Sequence, residues 1–267
     1  MIAFRYRYQP DRSILERVTA HYQALQPLHN DIITAYRSYI RSRASTSIAP
    51  LPVNDEQRAA FKLAYSSRAT SAGLGWINEL YENELNSCPF CGGLGARTIE
   101  HYLPFASYPE FAVFSPNLVP SCGDCNRKRN DQNKHGATPC LLHPYFDRDL
   151  IKEIRLLTDI DFMADVPRFI LTHNSRNFDQ NTNTRIAHHL KICVDQTSFR
   201  NFQKGQYKLI KSRAMNYTTI AAFIEALTSD LDAYTRIGEP NSWSAALMRG
   251  ILNLSLEDQL IVYEAPT

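Results

Sequence analysis

The stretches Cys88-Pro-Phe-Cys91-Gly-Gly and Cys122-Gly-Asp-Cys125 decide how this chain folds. Two residues between cysteines allow both thiolates to reach one tetrahedral ion, and the glycines after the first pair permit a tight backbone turn. The four cysteines therefore predict one structural zinc ion, because four thiolates leave no coordination position open for a substrate. The alternative is that the four cysteines are reduced and bind no metal.

The overall composition is that of an ordinary globular protein, with 44% hydrophobic and 21% charged residues among 267. The formal net charge is only +2, so any binding to nucleic acid would have to come from local basic patches. The sequence contains no apolar run of about 18 residues and no signal-peptide pattern, which predicts a cytoplasmic protein without membrane contact. In that compartment, paired cysteines indicate zinc rather than disulfide bonds.

Hydrophobic residues recur at helical spacing on both sides of the cysteine region. On the N-terminal side, Pro27 is expected to interrupt the first helical stretch, and Asn54 is expected to cap a helix over 55–67. On the C-terminal side, mixed apolar and β-branched runs within 151–173 predict a hairpin. Four further helices are predicted at about 184–193, 198–214, 218–234 and 242–252.

These patterns predict an α+β fold with three regions. Residues 1–85 are mainly helical, residues 86–150 form a small core with the zinc site, and residues 151–267 form a hairpin followed by helices. No long low-complexity linker divides the chain, so the three regions are expected to pack as one body.

The segment between the cysteine pairs carries the residues that indicate a reaction. It contains Thr98-Ile-Glu100-His101-Tyr-Leu-Pro104 and Asn117-Leu-Val-Pro120, and Cys125 is followed by Asn126-Arg127-Lys128-Arg129. A lone histidine is more often structural than catalytic, but here an acidic residue precedes it and two asparagines follow it. A neutral imidazole can accept a proton from water near pH 7, and carboxylate and amide oxygens are ligands that suit Mg²⁺.

In these residues the sequence resembles the HNH endonucleases, also called His-Me finger or ββα-metal nucleases. The shared pattern is Cys-x-x-Cys, an acid followed by His-x-x-Pro, then Asn-Leu, then Cys-x-x-Cys-Asn with basic residues after it. It covers residues 88–134 closely. The wider stretch 100–147 is similar to HNH proteins of bacterial anti-phage systems, among which the Septu-type component works beside an ATPase.

The resemblance implies a zinc-braced ββα-metal nuclease core and a role for each residue of the motif. His101 would be the general base, and Asn117 would hold the loop that orients it. Glu100 and Asn126 would be the protein ligands of a catalytic Mg²⁺ or Mn²⁺ ion. Asn130, Asn133 and His135 lie close in sequence and could take the place of Asn126, which the motif favours. Glu100 stands where many members have aspartate, so its longer side chain would place the ion differently.

A basic run follows the second cysteine pair. Arg127, Lys128, Arg129 and Lys134 are expected to contact the phosphates of a nucleic acid, which would position the substrate without reading its sequence. The alternative is an ordinary solvated helix face.

The function that the resemblance implies is metal-dependent hydrolysis of DNA or RNA, in anti-phage defence and with an ATPase partner. The alternative is a zinc-braced module that binds nucleic acid or protein without turnover. The combination of an acid, His101 and both asparagines favours the nuclease, because a binding module needs no general base beside a metal ligand. The choice between DNA and RNA, including tRNA, stays open at this stage, as do sequence specificity, oligomeric state and the activating trigger.

Overall fold

Helices and two small antiparallel sheets make up the fold, in a computed structural model that describes residues 1–3, 6–83, 85–162 and 167–264. The α-helices in this part of the chain, α1 to α11 in order, are Asp11–His21, His29–Arg41, Asp55–Ser67, Trp76–Glu79, Gly123–Arg129, Arg148–Glu153, Gln180–Cys193, Gln196–Ala214, Ile220–Arg236, Trp243–Leu252 and Leu256–Tyr263. The strands, β1 to β4, are Thr98–His101, Leu118–Ser121, Leu156–Asp161 and Arg168–His173. The predicted mixture of α and β structure is therefore confirmed.

Local signals fixed several helix boundaries. Pro27 lies inside a 3₁₀ turn, Gln23–Leu28, that separates α1 from α2. Asn54 caps α3 as predicted: its side chain accepts from the backbone N–H of Gln57, and the Gln57 side chain accepts from the N–H of Asn54. This reciprocal pair satisfies two N–H groups that the first helical turn cannot satisfy itself.

Two boundaries differ from the prediction. Helix α7 begins at Gln180 rather than near 184, because the Asp179 side chain accepts from the N–H of Thr182 and caps the helix there. Helix α11, at Leu256–Tyr263, was not predicted. Its N-cap, Ser255, accepts from the N–H of Asp258, a signal that the sequence did contain.

The first sheet connects directly to the second cysteine pair. Strands β1 and β2 pair antiparallel, with Glu100 opposite Val119 and His101 opposite Leu118. Cys122 follows β2 and is the N-cap of α5, so the order in this segment is strand, long loop, strand, helix. Strands β3 and β4 form the predicted hairpin. Its turn residues 163–166 lie outside the described residues.

The C-terminal region packs against the first cysteine turn. The indole N–H of Trp243, the first residue of α10, donates to the carbonyl of Cys91 at 2.9 Å. Gly92 has a φ of +78°, and a Cβ built there would lie 2.1 Å from the carbonyl oxygen of Asn241. Only glycine fits this approach, so the turn and the segment before α10 are in direct backbone contact.

One hydrophobic cluster includes buried residues from all three predicted regions, among them Tyr39, Phe111 and Trp243. No helix within the described part of the chain is long and apolar enough to span a bilayer.

Candidate metal centre and catalytic site

The four paired cysteines meet in one cluster. The sulfurs of Cys88 and Cys125 are 3.8 Å apart, those of Cys91 and Cys122 are 3.7 Å apart, and all four lie within 4.8 Å of one another. Four thiolates about 2.3 Å from a central zinc, at the corners of a regular tetrahedron, are about 3.8 Å apart. The cluster therefore has the size of a zinc site and could hold a structural zinc ion.

Backbone N–H groups point at the sulfurs of this cluster. The N–H of Gly93 donates to Cys91 Sγ at 3.3 Å, that of Cys122 to Cys88 Sγ at 3.3 Å, and that of Cys125 to Cys122 Sγ at 3.4 Å. Such donors offset the negative charge of thiolates. Three of the cysteines are buried and Cys122 is half-buried, which agrees with a structural rather than a substrate-binding ion.

His101 ends β1 and is half-buried. Its Nε2 lies 2.9 Å from the carbonyl oxygen of Ala112. A carbonyl oxygen only accepts, so Nε2 carries the proton and Nδ1 keeps a lone pair. The ring packs edge-on against Tyr65 of α3, with centroids 4.5 Å apart. Burial lowers the pKa of His101 to about 4, which leaves the imidazole neutral at pH 7.

Asn117 closes the loop that runs from β1 to β2. Its Oδ1 accepts from the N–H of Leu103 at 2.7 Å, and its Nδ2 donates to the carbonyls of Leu103 at 3.1 Å and Phe111 at 3.3 Å. The side chain is fully buried. It therefore ties the start of the loop to the segment that supplies the Ala112 carbonyl.

Glu100 and Asn126 lie where β1 meets α5. The Glu100 side chain is 6% exposed, and its Oε1 is 3.4 Å from Nη1 of Arg129. Its Oε2 has no hydrogen-bond partner among the described residues. Burial raises the pKa of Glu100 to about 7, although Arg129 opposes the shift. Asn126 Nδ2 donates to the carbonyl of Ile99 at 3.4 Å, one residue before Glu100.

The structure places Glu100 and His101 on different faces of the sheet. Consecutive strand residues point to opposite sides, and accordingly Glu100 faces Arg129 of α5 while His101 faces Tyr65 of α3. The two side chains share only the end of β1. A ligand that contacted both Glu100 and His101 would have to lie across the end of β1.

Arg129 is not a surface residue. Its side chain is 2% exposed, and its guanidinium lies over the ring of Phe90, with the carbon 4.2 Å from the ring centroid. Nη2 donates to the carbonyl of Tyr102 at 3.2 Å. The structure therefore contradicts the expectation that Arg129 contacts phosphate. Arg129 follows the buried Cys125 by four residues and so shares its helix face, a signal that the sequence contained.

The other three predicted phosphate contacts are exposed but differ in their surroundings. Arg127 forms an ion pair with Asp124 at 2.6 Å. Lys128 Nζ donates to the carbonyls of Val194 and, at 3.0 Å, Lys191, where it stabilises the end of α7. In the part of the chain that the structure covers, Lys134 makes no side-chain hydrogen bond or ion pair. Lys134 is thus the member of this set most available to a ligand.

Two contacts of His101 were not predictable from the motif. Tyr65 lies in the N-terminal region, and no local sequence pattern connects it to His101. Ala112 contributes a backbone carbonyl, which every residue type possesses. Both follow from tertiary packing alone.

The chain is similar to Protein ea31 of Escherichia phage lambda. The two are 37% identical over 199 residues, a stretch that covers 67% of this chain and 65% of Protein ea31. The match thus spans slightly less than two thirds of that relative's length, and the relative's name describes no activity. No family model and no solved structure matches the chain. The function must therefore be inferred from the site itself.

Glu110, in the loop that Asn117 closes, is a buried carboxyl with a testable effect on stability. Its Oε1 accepts from the N–H of Leu51 at 3.0 Å, and burial raises its pKa from about 4.5 to about 7. Between these pH values the folded protein keeps a proton that the unfolded chain has released. The free energy of unfolding should therefore fall as pH rises through this window, by about 3 kcal/mol in total.

Glu110→Gln should remove this loss, because glutamine stays neutral and still offers an acceptor to Leu51. Denaturant unfolding at pH 5 and pH 8 measures the difference, with the exposed Glu56→Gln as the matched control. An unchanged pH dependence in Glu110→Gln would show that the Glu110 carboxyl ionises normally in the folded protein.

Proposed function

We propose that this protein is a metal-dependent endonuclease of the HNH type that hydrolyses phosphodiester bonds of nucleic acids. One observation carries the proposal: His101 is neutral, its Nε2–H is fixed on the Ala112 carbonyl, and its Nδ1 is left as a proton acceptor. A structural histidine in a core more often uses both ring nitrogens, because buried polar atoms are usually hydrogen-bonded.

The arrangement around His101 supports the proposal. The order β1, loop, β2, α5 is the ββα order that the resemblance implies, and the cysteine cluster joins the segment before β1 to the start of α5. His101 stands at the end of β1, Asn117 closes the loop, and Asn126 lies in the first turns of α5. These are the positions at which the motif residues would act.

The proposed reaction begins when His101 Nδ1 accepts a proton from a water molecule, whose oxygen then attacks phosphorus. The P–O bond to the leaving 3′ oxygen breaks as the new P–O bond forms, and the leaving oxygen takes a proton from water. Ala112 keeps the imidazole in the required tautomer throughout. A base with a pKa near 4 is weak. The negative charge of a bound phosphate would raise this pKa and bring the base closer to the working pH.

Glu100 and Asn126 would hold a divalent ion such as Mg²⁺ or Mn²⁺. The buried Oε2 of Glu100 has no donor among the residues described, so the carboxylate fits a cation at that oxygen. Such an ion would stabilise negative charge on the phosphate and the leaving oxygen. The carboxylate presents Oε2 to this position because Arg129 engages Oε1.

The cleavage experiment described below also tests whether the substrate is DNA or RNA. A role in anti-phage defence beside an ATPase partner is also part of the proposal, and it rests on the resemblance of residues 100–147.

A second candidate is the zinc-braced binding module without turnover. One observation favours it: a cation, the Arg129 guanidinium, already lies 3.4 Å from the Glu100 carboxylate. In such a module the Glu100–Arg129 pair would be structural, and no divalent ion would bind.

The deciding experiment is cleavage of duplex DNA, single-stranded DNA and tRNA by the purified protein with Mg²⁺ or Mn²⁺. His101→Ala should lose at least about 100-fold in rate, the contribution expected of a general base. His21→Ala, an exposed histidine on α1, is the matched control and should cleave normally. Equal cleavage by wild type and His101→Ala would contradict the assignment. Absence of cleavage by the wild type, together with nucleic-acid binding that His101→Ala leaves unchanged, would favour the binding module.

A further inference from the structure

A line of buried hydrogen bonds leads from outside the motif to Asn117. The hydroxyl of Tyr39, in α2, is 3.0 Å from Asn117 Oδ1 and 3.2 Å from Nε2 of His143. Nδ1 of His143 is 3.1 Å from the backbone nitrogen of Tyr145. Tyr39, Asn117 and His143 all have 0% exposure, so bulk solvent does not reach these groups.

The direction of each hydrogen bond follows from the chemistry of the groups. The N–H of Tyr145 can only donate, so His143 Nδ1 accepts and the proton of the neutral ring is on Nε2. Burial lowers the pKa of His143 well below its usual value, which keeps the ring neutral. His143 Nε2–H therefore donates to the Tyr39 oxygen. The Tyr39 hydroxyl then has two acceptors within reach, Asn117 Oδ1 at 3.0 Å and the Pro116 carbonyl at 3.3 Å, and we assign its proton to the nearer one, Asn117 Oδ1.

The same line continues from Asn117 to His101. With Oδ1 fixed by Tyr39 and Leu103, the Asn117 amide must direct Nδ2 to the carbonyl of Phe111. The next residue in the chain is Ala112, whose carbonyl holds His101 Nε2–H. The orientation of the His101 ring thus depends on a peptide segment whose position Asn117 fixes.

We infer that Tyr39 and His143 are positioning residues for His101, acting through Asn117 and the Phe111–Ala112 segment. The inference rests on the proposed function, because it assigns these residues to the orientation of the proposed base. Neither residue lies in the cysteine-framed motif. Tyr39 belongs to the N-terminal helices, and His143 lies beyond α5 but still within residues 86–150, so the N-terminal region would take part in orienting the base.

Tyr39→Phe tests the inference by removing one oxygen. The ring contacts of Tyr39 with Phe111 and Phe114, at 4.9 and 5.2 Å between centroids, do not involve the hydroxyl and should persist. We expect kcat to fall about 10-fold or more, as for a misplaced catalytic group. The KM should not change, since Tyr39 is buried and cannot touch substrate.

Tyr263→Phe is the matched control. It removes a hydroxyl that donates to the backbone carbonyl of Tyr217 at 3.0 Å, in the C-terminal helices. Rates are to be expressed per folded chain, so that loss of stability alone does not lower kcat. If Tyr39→Phe and Tyr263→Phe show the same kcat per folded chain, Tyr39 is merely structural and the inference is wrong.

A second measurement does not depend on activity. Nitrogen-15 NMR of histidine-labelled protein reports which ring nitrogen carries the proton, and the His101 signals can be assigned by their loss in His101→Ala. The wild type should show His101 as the Nε2–H tautomer, and Tyr39→Phe should increase the Nδ1–H population. An unchanged His101 tautomer in Tyr39→Phe would overturn the inference, even if the protein proves not to be a nuclease. A shifted tautomer without any cleavage by the wild type would instead sustain the positioning and overturn the proposed function.

Two substitutions of His143 add a rescue test. The amide nitrogen of His143→Gln can reach the place of Nε2 and still donate to Tyr39. The shorter amide of His143→Asn reaches the place of Nδ1 and leaves Tyr39 without its donor. We expect His143→Gln to keep most of the kcat and of the Nε2–H tautomer, whereas His143→Asn should resemble Tyr39→Phe. The reverse order would contradict the inferred direction of the hydrogen bonds.

Discussion

Cys88→Ser is expected to purify without zinc and to lose the cooperative unfolding transition of the wild type. The sulfur of Cys88 is buried, 3.8 Å from that of Cys125, and a serine hydroxyl is a poor replacement for a thiolate. Binding of a structural zinc ion is worth about 10–16 kcal/mol in zinc-finger peptides. This is comparable with the whole free energy of unfolding of a typical protein, about 5–15 kcal/mol.

Zinc content per chain and thermal unfolding followed by circular dichroism measure this effect. Cys140→Ser is the matched control, since Cys140 lies outside the cluster and its Sγ is within 3.0 Å of the Thr46 hydroxyl instead. The control should retain one zinc per chain. A Cys88→Ser protein that still holds one zinc, or a wild type that holds none, would show that the cluster is not a zinc site.

At pH 8, above the pKa of about 7 that Glu100 has beside Arg129, Arg129→Met is expected to destabilise the fold by about 3–5 kcal/mol, because it leaves the buried Glu100 carboxylate without its cation. Arg129→Met combined with Glu100→Gln should regain most of this loss, since no charge then remains buried. Denaturant unfolding of the two variants measures both free energies.

Arg127→Met is the matched control for Arg129→Met. Arg127 is two residues earlier on α5 with a 74% exposed side chain, so its loss should change stability by less than about 0.5 kcal/mol. The opposite pattern is equally informative. If Arg129→Met were as stable as the wild type but bound nucleic acid more weakly and with a smaller salt dependence, Arg129 would be a phosphate contact after all.

The sequence predicted those features that depend on residues close together in the chain. The Cys-x-x-Cys spacing predicted the cysteine cluster because the ligand geometry of each pair is set within one turn. The cap at Asn54 and the break at Pro27 were predictable for the same reason. The antiparallel pairing of β3 and β4 followed from two adjacent runs of suitable residues.

The sequence did not predict features that depend on distant partners. Arg129 illustrates this limit, because its charge indicated a surface position while its spacing from Cys125 indicated a buried one. Arg129 can be buried because a carboxylate, that of Glu100, lies opposite it. Glu100 belongs to β1, so the sequence of α5 alone does not indicate this pairing. Likewise, nothing near His101 in the sequence indicates Tyr65, and nothing near Asn117 indicates Tyr39.

The contact between Trp243 and the first cysteine turn has a consequence for the order of events during protein synthesis. Trp243 lies 152 residues after Cys91, whose carbonyl it engages, so the ribosome delivers α10 long after both cysteine pairs. The close backbone contact between Gly92 and Asn241 also forms only after Asn241 has been synthesised. In a nascent chain the four cysteines can therefore come together early, but the turn at Cys91 and Gly92 is covered only after the C-terminal helices have been synthesised.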